Sequence, residues 1–251
     1  MPATLYWTLI DSTFLLPETA GVLSPAELAK FSAFRFPKRR DEWLLGRRAA
    51  KLLVHSLPAY ARYSLDQIEV GNTAQGSPYI QLPDGSLPPD CLSISHSGPF
   101  AFCALEQGGL LRVGADLEKI EPRTGTFILD YFTPVERQLV AACPAETRAE
   151  QVTLVWSAKE AMLKALGVGL HWDTRAVEVR RIETGGSGDG KWREIELDEV
   201  QPAGRSWVGW WQRREAYMLT LACHASSPAE MQSLRLVEIH TDITPPSHLS
   251  R

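Results

Sequence analysis

Residues 110–123, "LLRVGADLEKIEPR", alternate without a break. In an extended chain Leu111, Val113, Ala115 and Leu117 share one face, and Asp116 and Glu118 share the other, because side chains alternate across a strand. This period of two predicts a strand over Leu110–Glu118, one face apolar and the other ending in two neighbouring carboxylates. Two acids that close repel. Either they stand at a solvent-exposed strand end, or they serve a hard cation, since Mg²⁺ takes one or two carboxylates together with phosphate oxygens. A third carboxylate would favour the cation, and Glu160 is the natural candidate.

The same logic extends to either side. Cys91–Ser95 and Phe100–Glu106 read as strands joined by a turn at His96-Ser97-Gly98-Pro99, with Gly108-Gly109 making the next turn. Upstream, Leu5–Ile10, Leu65–Val70 and Tyr79–Leu82 are expected strands. Ser24-Pro25-Ala26-Glu27 combines a capping box with proline at the first helical position, so a helix should begin there. A long helix follows Pro37 to about Leu57, with Leu45, Ala49, Leu52, Leu53 and Ser56 on its buried face. Downstream, helices are expected around Thr133–Ala142 and Glu146–Leu166. Ala176–Ile182, Trp192–Leu197, Ser206–Trp211 and Tyr217–His224 read as strands. Thr184–Gly190, "TGGSGDG", is expected to be a flexible loop, and the last 25 or so residues are weakly specified. A long helix leads to the strand "IEV" and a second long helix to "VEVRR", a coarse echo that two similar α+β halves would explain. The joint falls near Gly108–Arg112.

With 251 residues the chain can bury a substantial core. Its net charge of −4 argues against a nucleic-acid binder. The four cysteines are far apart without C-x-x-C spacing, which fits small core residues in a reducing, cytoplasmic setting. No signal peptide is expected, and no apolar run is long enough to span a membrane.

The second helix of the echo, "WSAKEAMLKALGVGL" from Trp156, poses a question. Its apolar face carries Val155, Ala158, Met162, Ala165 and Leu166, with Gly167 placed to cap it. Glu160 and Lys164 fall roughly opposite, one above the other, and taken alone read as a solvated ion pair. In the first long helix, Arg40, Arg47 and Lys51 fall in one stripe away from the leucines. That stripe is either a solvated basic face or a grip on phosphates, for which arginine is well shaped. "SISHSG" sets His96 between Ser95 and Ser97, a structural histidine or an anion contact. A serine nucleophile with a histidine base is a poor reading, since strand neighbours point apart and no G-x-S-x-G elbow is present. Walker A and G-x-G-x-x-G motifs are also missing.

Taken in order, "FRFPKRRDEWLLGR", "GSPY", "SISHSG", "VGADLEKIEPR", "FTPVERQL" and "WSAKEAMLKALGVGL" resemble the 4′-phosphopantetheinyl transferases of the long, pseudo-dimeric type that activates surfactin-synthetase-like carriers. The resemblance spans roughly Phe34–Leu170. It implies an α+β fold of two similar halves, residues 1–109 and 110–251, related by a pseudo-twofold with the active site in the cleft between them. It implies a monomeric, cytoplasmic, Mg²⁺-dependent enzyme that binds neither nucleic acid nor membrane. Such an enzyme moves the phosphopantetheine arm of coenzyme A onto a serine of an apo acyl or peptidyl carrier protein, releasing 3′,5′-adenosine bisphosphate. By motif match, Asp116, Glu118 and Glu160 would bind Mg²⁺ and Lys164 would meet the pyrophosphate; Glu160, directly or through a metal-bound water, is the choice of base for the serine proton. Arg40, Arg47, Lys51, Ser95 and His96 would surround the CoA phosphates, His96 at the 3′-phosphate. Gly76, Ser77 and Pro78 match the family's G-K-P segment except that Ser77 replaces its lysine, which puts one phosphate contact in doubt. A non-catalytic carrier- or CoA-binding module, and a Mg²⁺-dependent nucleotidyl- or phosphotransferase with another donor, are the competing readings.

Overall fold

The computed structural model describes residues 3–14, 19, 21–168, 172–183, 190–200, 206–225 and 234–240. The first stretch of chain forms β1 (Thr4–Asp11), α1 (Pro25–Ser32), α2 (Pro37–His55), β2 (Glu69–Asn72), β3 (Pro78–Gln81), β4 (Cys91–Ser97) and β5 (Phe100–Glu106). The second forms β6 (Leu111–Lys119), α3 (Gly125–Tyr131), α4 (Pro134–Ala141), α5 (Arg148–Leu166), β7 (Val177–Ile182), β8 (Arg193–Glu199), β9 (Ser206–Arg214), β10 (Tyr217–Ala225) and β11 (Arg235–Glu238). One sheet has the order β11-β1-β5-β4 and another β6-β10-β9-β8-β7, with β2-β3 a separate hairpin.

The element order repeats. The antiparallel trio β1-β5-β4 is matched by β6-β10-β9. Helices α1 and α4 each open on a capping box with proline at the first position, Ser24-Pro25 and Thr133-Pro134, closed by Glu27 and Glu136. Each glutamate then does more than cap. Glu27 accepts the backbone N–H of Val70 at 3.1 Å and pairs with Lys51 from α2. Glu136 accepts that of Val179 at 2.9 Å and pairs with Lys159 from α5 at 2.6 Å. Two buried pins in equivalent places thus tie a short helix, a long helix and a strand together. Burial raises the Glu136 carboxyl and lowers the Lys159 ammonium, while each partner's charge opposes the change.

The alternating face of β6 lies where its pattern requires. Val113, Ala115 and Leu117 join Leu5, Trp7, Phe102, Ala104, Leu219 and Leu221 in a core between the two sheets. Across that junction the side chains of β4 replace a ladder. Cys91 Sγ accepts the N–H of Val113 at 3.2 Å, Ser93 Oγ that of Ala115 at 2.9 Å, and Ser95 Oγ that of Leu117 at 3.2 Å. Gly114 allows the close approach of α5, since a Cβ there would sit 1.8 Å from the Ala161 carbonyl oxygen.

Several expectations need correction. Leu65–Gln67 is a single 3-10 turn capped by Ser64, and the strand begins only at Glu69. The turn after β4 contracts to Gly98-Pro99, with Gly98 at φ 56°, so His96 lies in the strand itself. Ser56 is exposed and Val54 takes its place in the core. Helix α3 and strand β11 had no expectation, and β11 runs parallel to β1, so part of the weakly specified tail returns to the first sheet. Residues 184–189 of the expected flexible loop lie outside the described residues. No helix among the described residues is long and apolar enough to cross a membrane.

Candidate active site

Two adjoining cavities, of about 870 and 660 Å³, meet at Gly76, Pro78 and Ile94. The larger is walled by Phe34, Phe36 and Trp43 and by the cations Lys30, Lys38, Arg39 and Arg47, with His96 at its edge. The smaller runs between β4 and β6 and includes Ser77, Ser93, Lys164 and Gly167. Ser77 sits close to the helix end, with its Oγ 3.3 Å from where a Cβ on Gly167 would lie.

Beside Lys164, on the wall of the smaller cavity, stands an acidic cluster that is not a solvated strand end. Asp116 is buried, 3% exposed. Its Oδ1 accepts Ser95 Oγ at 3.0 Å and Lys164 Nζ at 2.7 Å, and its Oδ2 accepts Ser157 Oγ at 2.7 Å. Lys164 also reaches the Ala115 carbonyl at 3.1 Å and Ser95 Oγ at 3.0 Å, so it spans both sheets. Glu118 accepts Arg123 Nη2 at 3.1 Å and Trp156 Nε1 at 3.2 Å. Trp156 is itself held by Phe127 and Tyr131 of α3, at ring distances of 4.9 and 5.2 Å. Glu160 is half-buried beside them. Desolvation first, and the Asp116 charge second, push its carboxyl up to about 7, although Lys164 opposes the shift. Glu118 is raised by the same two causes, against Arg123. The His96 imidazole is lowered, mainly by the protein around it, with Glu42 opposing and Lys164 adding.

Two members of the expected basic stripe do not reach this cleft. Lys51 is fully buried in its pin, giving its protons to Glu27, the Val22 carbonyl at 2.7 Å and the Leu65 carbonyl at 3.1 Å. It has nothing left for a phosphate. Arg40 turns to Asp41 at 3.4 Å and to the Phe31 ring at 5.4 Å. Arg47 does line the cleft, with Nη2 on Asn72 Oδ1 at 2.5 Å and its guanidinium 5.0 Å from the Trp43 ring centre. The stripe that faces the cleft is Arg39, Trp43 and Arg47, spaced by four residues and therefore on one helical face. The tryptophan among the arginines was the signal that could have found it. Ser95 lies in the site but serves Asp116 and Lys164.

Among the described residues no three or more His, Cys, Asp and Glu side chains gather closely enough to hold a metal ion by themselves. The donor set nonetheless fits a hard cation that brings its own water and phosphate oxygens. Asp116, Glu118 and Glu160 are all oxygen donors, Asp116 pushes both glutamates toward neutrality, and Lys164 and Arg123 stand against Asp116 and Glu118 as counter-charges.

Residues 112–222, from β6 through α5 to β10, match the model of the 4′-phosphopantetheinyl transferase superfamily. By that match the chain is similar to the superfamily over somewhat less than half of its length. The chain is 29% identical over 159 residues to the 4′-phosphopantetheinyl transferase HetI of a Nostoc species, covering 62% of this chain and 64% of that protein, so it spans a little under two thirds of that relative's length. It is 31% identical over 136 residues to a Bacillus subtilis 4′-phosphopantetheinyl transferase, covering 53% and 57%. It is 28% identical over 177 residues to Sfp of Bacillus subtilis, covering 65% and 74%. A holo-(acyl-carrier-protein) synthase from Bacillus anthracis, solved in complex with CoA (3′,5′-ADP), aligns at 21% identity over 46% of this chain and 96% of that one, with a TM-score of 0.37. Asp116, Glu118, Glu160 and Lys164 all fall within the matched segment.

Proposed function

We propose that this chain transfers the 4′-phosphopantetheine arm of coenzyme A to a serine of an apo acyl or peptidyl carrier protein. The observation that carries the reading is Asp116 paired with Lys164, which lines the smaller cavity, and the Glu118 and Glu160 carboxyls near enough for the Asp116 charge to raise both, beside a larger basic and aromatic-walled cavity. The adenosine end and its 3′-phosphate suit the larger cavity, where Arg47, Arg39 and Lys38 supply charge, His96 an imidazole and Trp43 a ring. Gly76 and Pro78 line both cavities, and Ser77 and Lys164 line the smaller one.

The serine oxygen attacks the β-phosphorus, a P–O bond forms, the bridging P–O bond breaks, and 3′,5′-adenosine bisphosphate leaves. A Mg²⁺ ion held by Asp116, Glu118 and Glu160 would supply charge neutralisation on the non-bridging oxygens. Lys164 holds a proton-bearing cation against the same oxygens once it turns from Asp116. Glu160 stands free of protein hydrogen-bond donors that would compete for its oxygens in the described hydrogen bonds, and it takes the serine proton. Ser95 keeps Asp116 and Lys164 in register. The two halves, with boundaries at residues 109 and 110, are the repeat of one ancestral unit, and because both walls of the cleft come from one chain a monomer suffices.

Incubation of the protein with coenzyme A, MgCl₂ and a panel of apo carrier proteins, followed by intact mass of the carrier, tests the reading. A phosphopantetheine-sized gain on at least one carrier is the expected result. A non-catalytic binding module would leave every carrier unmodified.

A further inference from the structure

Ser157 and Thr220 have no place in the chemistry above, yet both are fully buried beside it. Ser157 Oγ lies 2.7 Å from Asp116 Oδ2 and 2.8 Å from Thr220 Oγ1. Thr220 stands directly across from Asp116 in the pairing of β10 with β6, and α5 lies over both strands. We infer that Thr220, acting through Ser157, is a positioning residue that commits one oxygen of Asp116 and leaves the other for the cation.

The proton count fixes the direction of the chain. An ionised carboxylate only accepts, and a serine hydroxyl has one proton. Ser157 gives that proton to Asp116 Oδ2, so toward Thr220 it is the acceptor and Thr220 is the donor. The hydroxyls run Thr220 to Ser157 to Asp116 and join β10, α5 and β6 in one closed unit. The partners of Oδ1 are of another kind. Ser95 and Lys164 approach it from the cleft, and Lys164 is partly exposed, so a cation and its waters can replace the ammonium there. No such exchange is open to Oδ2, whose partner is fully buried. Asp116 therefore offers a single, fixed oxygen. The neighbours of Thr220 along β10 are Leu219 and Leu221, and Met218 and Ala222 share its face, so an aliphatic residue would suit the position on packing grounds alone. The hydroxyl is the feature that needs a reason.

The inference rests on the proposed Mg²⁺ site, and the test separates the two. MgCl₂ is titrated calorimetrically into the protein with saturating coenzyme A and no carrier, so nothing turns over, and each melting temperature is measured alongside. Loss of an outer partner of a metal ligand costs about 10–100-fold in affinity, and Thr220 acts one bond further out, so Thr220→Val should raise the Mg²⁺ dissociation constant about tenfold. Thr220→Ser, which keeps the donor, should stay within about twofold of the parent by the same reasoning. If Thr220→Val does not fold, Thr220→Ala is measured against Thr220→Ser in its place. A folded Thr220→Val or Thr220→Ala protein with parental Mg²⁺ affinity would overturn the inference and leave the site standing, as would equal losses in the serine and aliphatic variants. A parent protein that binds no Mg²⁺ in the presence of coenzyme A would remove both.

Discussion

The pin between Lys159 and Glu136 gives the sharpest energetic prediction. Both side chains are 0% exposed. The ammonium gives all three protons away, to Glu136 Oε1 at 2.8 Å, Glu136 Oε2 at 2.6 Å and the Val177 carbonyl at 2.7 Å. Lys159→Met fits the volume but leaves a buried carboxylate without its counter-charge, which typically costs 3–5 kcal/mol, so about 4 kcal/mol is expected here. At about 2–4 °C per kcal/mol for a chain of this size, the melting temperature should fall by roughly 8–16 °C. The loss must depend on pH in a definite sense. Without Lys159, burial alone raises the folded-state pKa of Glu136 above its unfolded value, so stability falls as pH rises, and the deficit is smaller at pH 5 than at pH 8. Adding Glu136→Gln removes the stranded charge but gives up charged bonds to the Thr133 and Val179 N–H groups, so the double variant should recover about half of the loss. Thermal and urea unfolding followed by circular dichroism measure all of this. A Lys159→Met protein within about 1 kcal/mol of the parent, with no pH dependence, would refute the reasoning.

Three further outcomes follow from the site. Ser77→Lys should lower KM for coenzyme A roughly fivefold with kcat nearly unchanged, and the gain should shrink at high salt, because a new surface cation binds ground and transition states alike; steady-state kinetics at two salt concentrations decide it. In the metal-free protein, Glu160 carries a folded-state pKa of about 7 against an ordinary value of 4.5, so its contribution to stability is lost as pH rises between those values. Thermal melts across pH 4 to 8 should lose that slope in Glu160→Gln, and an unchanged slope would contradict the placement. Gly114→Ala drives a methyl group against the Ala161 carbonyl, so α5 must move off β6 and carry Glu160 and Lys164 from Asp116; transfer should be lost by more than tenfold, and a fully active, normally stable variant would contradict the close approach.

What the sequence could show was local. The alternation around Asp116, the capping box at Ser24 and the glycine after Leu166 each act over a few residues, and each lies where it was expected. What it could not show depends on distant partners. Lys51 read as a solvated or phosphate-gripping cation, and Lys159 drew no expectation, because their glutamates are 24 and 23 residues away in sequence, on other helices, beyond any i,i+4 rule. Arg40 was preferred to Arg39 although a single step on a helix turns the side chain by about 100° and takes it from the cleft to the Phe31 ring. Thr220 carries no motif at all, since its role exists only once β10 lies beside β6. Helix α3 is seven residues long, too short for a periodic signal.

The central claim is that the acids of β6 and α5 run a transfer onto a carrier serine. Parent and Asp116→Ala proteins, both shown by circular dichroism to be folded, are each incubated with coenzyme A, MgCl₂ and an apo carrier that the parent modifies, and the carrier is weighed intact over time. The account predicts a phosphopantetheine-sized gain with the parent and essentially none with Asp116→Ala. A carrier modified at near-parental rate by Asp116→Ala at limiting Mg²⁺ would contradict it.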